Sequence, residues 1–257
     1  MSIIDRIRSV KLESHQFAIF WLGQNSYIIK ISPRTSIAID PYLSRDKKYT
    51  YVYSKPPIEP EELKVDYIFC THDHLDHTDP TALPIIAENS PNTLFLGPQE
   101  SCEHLANLGI HRDHLIALEV NHPYITGDFT ATAYYSIPPK KADTTHFGYL
   151  FQVKNSKIYN MGDSDREIVK EPGALLNPIK KASPDIAIVP IVGDIEGRTP
   201  EDAYIVTKFI KPKIVIPCHY DCFADRTIDP KKFVQLFERN SDIKPVVILY
   251  KGLYIYG

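Results

Sequence analysis

The sequence predicts a layered α/β fold, two β-sheets packed together with helices on the outside. Three observations carry that expectation. Short β-branched and aromatic runs, bounded by Gly, Pro, Asn or Asp, fall into two groups, and helical patterns are interspersed in each half. No internal repeat or low-complexity tract breaks the 257 residues, which suit a single domain spanning 1–257. Apolar residues at 43% and charged residues at 24% are enough for a substantial core.

In the first half, Phe17–Leu22, Ser26–Ile31, Ser36–Ile39 and Asp66–Cys70 have strand character. Tyr42 to Lys64 (YLSRDKKYTYVYSKPPIEPEELK) is Tyr-, Lys- and Pro-rich and suits a long loop. Its aromatic part, Tyr42 to Tyr53, fits a lid, a subunit contact in a homo-oligomer, or both. Further strands are expected at Thr93–Leu96, His114–Leu118, Phe129–Tyr135, Phe147–Val153, Ile158–Asn160, Asp185–Pro190, Lys213–Pro217 and Pro245–Tyr250. The best helical patterns are Gln99–Leu108, Pro200–Phe209 and Pro230–Arg239. The last two open on a proline, where a first-turn N–H has no partner to lose, and Thr199 is the expected cap of the second.

A net charge of −3 gives no general attraction to nucleic acid or anionic membrane, so a small-molecule substrate is the expected partner. The stretch MSIIDRIRSVKLESHQ lacks the apolar run of a signal peptide, and no segment is long and apolar enough to span a bilayer. A cytoplasmic location without membrane contact follows. Cys70, Cys102, Cys218 and Cys222 lack paired CxxC spacing and are expected as reduced, mostly buried thiols. Cys218 and Cys222 flank His219, but nothing electropositive marks them as reactive.

Asp66–Cys70 runs directly into THDHLDHTDP, which places three histidines and two aspartates within residues 72–77, where a strand gives way to a loop. Imidazole and carboxylate are the donors that borderline divalent metals prefer. A single tetrahedral ion cannot easily use four of them. The spacing therefore suits two metals, His72 and His74 converging on one, Asp76 and His77 on the other, with hydrolysis as the natural reaction. The alternatives at this point are a polar turn whose histidines cap backbone groups, and a metal site without catalysis.

The motif T-His72-x-His74-x-Asp76-His77 resembles the signature of the metallo-β-lactamase superfamily. Gly162-Asp163-Ser164 and His219 in VIPCHYD continue the resemblance in order along the chain. WLGQNSYII, FLGPQESCEHLANLGI, MGDS and VIPCHYD make the chain similar to the branch containing L-ascorbate-6-phosphate lactonase. The resemblance implies an αββα four-layer sandwich, two packed mixed β-sheets flanked by helices. It also implies two divalent ions, zinc or manganese with iron as a further candidate, held by His72, His74, Asp76, His77, Asp163 as bridge, and His219. Asp76 would be the catalytic carboxylate, and Asp40 would support the histidines from behind.

One stretch departs from the pattern. Many relatives place a ligand histidine after the strand corresponding to Phe129–Tyr135. Here Tyr135 or Ser136 stands at that point in AYYSIPPKKADTTHFGYLF, and the nearby histidine, His146, either reaches the metals or caps the next strand. Arg198 in GDIEGRT, beside a capped helix, is a candidate phosphate binder as well as a plain surface charge, and Lys140 and Lys141 make a weaker claim to the same role. His15, His104, His111, His114 and His122 are expected in surface or capping roles.

The function implied is hydrolysis of an ester or lactone, such as a phosphorylated sugar lactone, by metal-activated hydroxide. A metal-dependent phosphodiesterase is the second enzyme class, and a non-catalytic metal-dependent binding or sensing module the alternative outside enzymes.

Overall fold

A computed structural model of the chain describes residues 2–193 and 195–257. Met1, at the head of the N-terminal stretch, and Asp194, in the GDIEGRT loop, lie outside the described residues. The strands are β1 (Phe17–Trp21), β2 (Tyr27–Ser32), β3 (Thr35–Ile39), β4 (Tyr67–Phe69), β5 (Leu94–Gly97), β6 (Leu115–Ala117) and β7 (Pro123–Ile125). They continue with β8 (Phe129–Tyr135), β9 (Phe147–Val153), β10 (Ser156–Asn160), β11 (Ile186–Pro190), β12 (Ile214–Cys218), β13 (Lys244–Pro245) and β14 (Leu253–Tyr256). The chain forms two compact units. One runs to Leu118 and takes back Ile248–Gly257, and the other is Glu119–Val247.

The first unit holds a seven-stranded sheet in the order β14-β1-β2-β3-β4-β5-β6. Its pairings are antiparallel from β14 to β3 and parallel from β3 to β6. Short turns join β1, β2 and β3, whereas parallel neighbours need crossovers. Helices Ala82–Asn89 and Gln99–Asn107 supply two of these, and the third is the long loop expected from Tyr42 to Lys64, which holds a 3₁₀ turn at Pro60–Glu62. Ala18, Phe20, Ile28 and Ile68 of the sheet form one apolar cluster with Leu83 and Leu105 of those helices. Removing such side chains from water is the main favourable term in folding.

The second unit repeats the plan. Its sheet runs β7-β8-β9-β10-β11-β12-β13, antiparallel from β7 to β10 and parallel from β10 to β13. Helices Arg166–Lys170, Gly173–Ala182, Pro200–Ile210 and Lys231–Val234 lie in its crossovers. The two sheets thus share one sequence of pairing types, although no repeat is visible in the residues.

Helix Pro200–Ile210 begins where expected, because Thr199 and Asp202 form a reciprocal capping box. Thr199→Ala should lower the unfolding free energy by about 1 kcal/mol, read from a urea midpoint at constant slope. The N-terminal stretch holds an additional helix, Ile3–Ser9, closed by a second capping box between Ser2 and Asp5 and burying Ile3, Ile4 and Ile7.

Two expected elements end early. The pattern Pro230–Arg239 forms a helix only at Lys231–Val234, since Leu236 and Phe237 turn their N–H groups to Phe233 and Val234, three residues back. The Pro245–Tyr250 run pairs as a strand only at Lys244–Pro245; beyond the Val246 N–H bond to Val215 the chain leaves the sheet and enters the first unit. All four cysteines are buried and form no disulfide among the described residues. Burial pushes the Cys102 thiol up to about 11 and raises Cys70 well above the usual thiol range, which keeps both protonated.

Candidate metal site

In a parallel sheet, ligands gather beyond the carboxyl ends of the strands. The candidate residues of the first unit follow that rule. Asp40 ends β3, and Thr71 to His77 leave the end of β4, its parallel neighbour. Asp40 is fully buried, and its carboxylate accepts from Thr71 N–H at 2.7 Å, Thr71 Oγ1 at 2.6 Å and Asn25 Nδ2 at 2.7 Å. It also meets His77 Nδ1 at 2.6 Å. A carboxylate surrounded by donors leaves the Nδ1 proton on His77, so that Nε2 presents its lone pair.

Around that ring the other donors converge. His72 Nε2 and His74 Nδ1 are 3.0 Å apart, and Asp76 Oδ2 lies 3.6 Å from His77 Nε2. Thr71 Oγ1 stands 3.0 Å from His72 Nδ1. The short loop is fixed by bonds from His77 N–H and Thr78 N–H to His74 C=O, and from Thr78 Oγ1 to His72 C=O. Asp73 is directed elsewhere, to His104 Nδ1 at 2.8 Å, which gives His104 its role. Asp79 accepts from Leu43 and Ser44 N–H on one oxygen and from Thr81 and Ala82 N–H on the other, tying the start of the long loop to the first turn of the next helix.

Two further residues hold this cluster, and the sequence reading did not single them out. Gln24 donates its side-chain amide to Asp76 Oδ2, and Asn25 donates to Asp40. The signal was present as polar residues in WLGQNSYII, a turn between two apolar strands, where Gln24, Asn25 and Ser26 are all buried. Buried amides need partners.

In the second unit the candidates again follow parallel strand ends: Asp163 after β10, Arg198 after β11 and His219 after β12. Asp163 Oδ1 is 2.9 Å from His219 Nε2, and Asp163 Oδ2 is 2.6 Å from Arg198 Nη1. His146 is buried just before β9, its Nε2 3.5 Å from Asp143 Oδ1, and its C=O accepts from Ser136 N–H at 3.1 Å. The β8–β9 register, Tyr135 opposite Phe147, accordingly sets Ser136 across from His146. Lys140 and Lys141 are exposed in a turn closed by Lys141 N–H to Pro138 C=O, and Lys141 borders a surface groove with Glu167 and Glu171.

Three of these residues carry an unusual backbone conformation. Gln24, Asp40 and His219 have φ of 54°, 41° and 68°, a region that non-glycine residues enter rarely. Such conformations persist where surrounding bonds over-determine them, commonly at functional sites.

The donor set of the first unit fits a divalent cation. Imidazole and carboxylate donors face one another at close range, one imidazole has its tautomer fixed by a buried carboxylate, and no lysine or arginine is among them. Fold and donors together define a metallohydrolase, and the comparisons with known proteins agree. Residues 18–219 match the family model described as a β-lactamase superfamily domain. A metal-dependent hydrolase of the UPF0173 family from Listeria welshimeri is 31% identical over 218 residues, covering 79% of this chain and 86% of the relative. A UPF0173 relative from Bacillus mycoides is 30% identical over 211 residues, covering 77% and 83%. Among solved structures, the metallo hydrolase Igni18 of Ignicoccus hospitalis superposes with a TM-score of 0.72 at 20% identity, covering 94% of this chain and 99% of that one.

The chain belongs to the metallo-β-lactamase superfamily and, within it, to the UPF0173 metal-dependent hydrolases. Its two mixed sheets flanked by helices are the fold that the His72–His77 motif implied. Among the described residues no helix is long and apolar enough to cross a membrane.

Proposed function

We propose that this hydrolase opens an ester or lactone bond of a small, phosphorylated substrate, a sugar lactone of the ascorbate 6-phosphate type being the best candidate. His72, His74, Asp76, His77, Asp163 and His219 would hold two divalent ions, zinc or manganese, with His146 as an additional donor. A bound pair of ions supplies Lewis acidity and a water acidified enough to lose its proton near neutral pH.

One observation carries this function: Asp40 holds His77 in a single tautomer beside Asp76, whose own carboxylate is turned by the Gln24 amide. Asp76 then orients the attacking oxygen, and no serine or cysteine nucleophile is required. The lactone preference draws on the likeness of WLGQNSYII, FLGPQESCEHLANLGI and VIPCHYD to the lactonase branch. The site would operate on soluble metabolites in the cytoplasm.

The test is hydrolysis of L-ascorbate 6-phosphate, beside bis(4-nitrophenyl) phosphate, by protein loaded with zinc or manganese. Turnover of the lactone is expected. Turnover of the phosphodiester alone would move the chain to the other hydrolytic class, and metal binding without turnover of either would favour a binding module.

A further inference from the structure

We infer that Arg198 is a positioning residue that fixes the orientation of Asp163 for metal binding; this rests on the proposed function, in which Asp163 is a metal ligand. Arg198 leaves the β11 loop and reaches back to the segment that follows β10. Its Nη1 meets Asp163 Oδ2 at 2.6 Å, and its Nε donates to the backbone C=O of Ser164 at 2.7 Å. Asp163 is almost wholly buried, and only a fifth of the Arg198 side chain is exposed. One planar guanidinium therefore grips both the side chain of Asp163 and the peptide after it, a two-point hold that a lysine ammonium cannot reproduce.

The loop carrying Arg198 is built to keep that grip. Val192 N–H bonds to Arg198 C=O at 2.6 Å, Arg198 N–H to Ile195 C=O at 3.0 Å, and Gly197 N–H to Asp202 Oδ2 at 2.8 Å. Gly197 has φ +88°, and a Cβ there would fall 2.2 Å from the backbone carbon of Asp165, so the loop lies directly on the residues after Ser164. Arg166 Nη1 and Glu196 Oε2 add a second tie at 3.2 Å.

The consequence is a division of labour on one carboxylate. Oδ2 faces Arg198 and Oδ1 lies 2.9 Å from His219 Nε2, so the guanidinium sets how the carboxylate is turned. Arg198 also offsets the charge of Asp163, whose burial without a cation would be costly. A substrate phosphate would have to compete with Asp163 for the same guanidinium.

The experiment is isothermal titration of the metal-free chain with zinc, for wild type, Arg198→Met, Arg198→Lys and Thr199→Ala, with the urea midpoint of each. Wild type should bind zinc, Arg198→Met should bind about 10- to 100-fold more weakly or with one ion fewer, and Arg198→Lys should recover part of the loss. Thr199→Ala loosens the adjacent helix start without touching Asp163, so it should lose stability but keep its zinc affinity. If Arg198→Met binds zinc like wild type, the inference is wrong. If Thr199→Ala weakens binding as much as Arg198→Met, general loosening explains the effect and the inference is again overturned. Absence of both zinc and manganese binding by the wild type, titrated in the same way, would instead sink the proposed function.

Discussion

Asp76→Ala should hydrolyse the cognate substrate roughly 10⁴- to 10⁶-fold more slowly than wild type, the loss seen when one member of a group acting as a unit is removed, while the chain still folds. The separation follows from where Asp76 sits. It is partly exposed on a loop after β4, and its partners include the Gln24 amide on Oδ2 and His77 Nε2 at 3.6 Å. Deleting it costs the Gln24 amide a partner, a matter of about 1–2 kcal/mol. The scaffold of the loop does not depend on it, because His74 C=O, Thr78 and Asp79 hold the turn. What is lost is the carboxylate beside a histidine whose tautomer is already set. Asp76→Asn sharpens the test, since it keeps the shape and removes the charge. Steady-state rates at saturating metal, with unfolding curves for both variants, decide the matter: a well-folded Asp76→Ala that turns over at the wild-type rate would exclude Asp76 from the chemistry.

The cluster around Asp76 was legible because its residues lie within one short stretch at a strand end, where metal chemistry constrains residue type and spacing together. Asp163 and His219 lie far apart in the sequence, and the family resemblance rather than local spacing pointed to them. The supports were not legible in this way. Gln24 and Asp76 are 52 residues apart, and Asn25 and Asp40 are 15 apart, so no local period links them. Their positions depend on a chain reversal at Gly23 and Gln24, both with positive φ, and glutamine does not announce that conformation in a sequence.

Short elements stabilised by distant partners were missed for a related reason. Strand β14 has four residues and is defined by pairing with β1 near the opposite end of the chain, and β7 is an edge strand of three residues, opened by a proline. Helix Ala82–Asn89 carries Pro84 in its first turn and no hydroxyl bond from Thr81; the cap comes instead from Asp79. Helix Lys231–Val234 erred the other way, since the apolar spacing of Phe233 and Phe237 suits a longer helix that the backbone tightens out of.

Asp40 lies beneath the cluster, and its replacement should have the largest structural effect. Asp40→Ala leaves Thr71 N–H, Thr71 Oγ1, the Asn25 amide and His77 Nδ1 without their shared acceptor in a fully buried place. It also puts alanine at a φ of 41°. A loss of about 3–5 kcal/mol is expected, the scale of breaking a buried charged network by removing one partner, seen as a large fall in the urea midpoint. Asp40→Asn isolates the chemistry from the strain, because asparagine tolerates the left-handed region. Its oxygen can still accept from the Thr71 backbone, but its NH₂ now opposes the Asn25 amide and the His77 Nδ1 proton. His77 relieves the clash by moving its proton to Nε2, which withdraws that nitrogen from metal binding. Asp40→Asn should therefore be the milder variant in stability, yet bind zinc about 10- to 100-fold more weakly. Wild-type zinc affinity in a folded Asp40→Asn chain would show that Asp40 is a structural carboxylate alone and that the tautomer of His77 is set by something else.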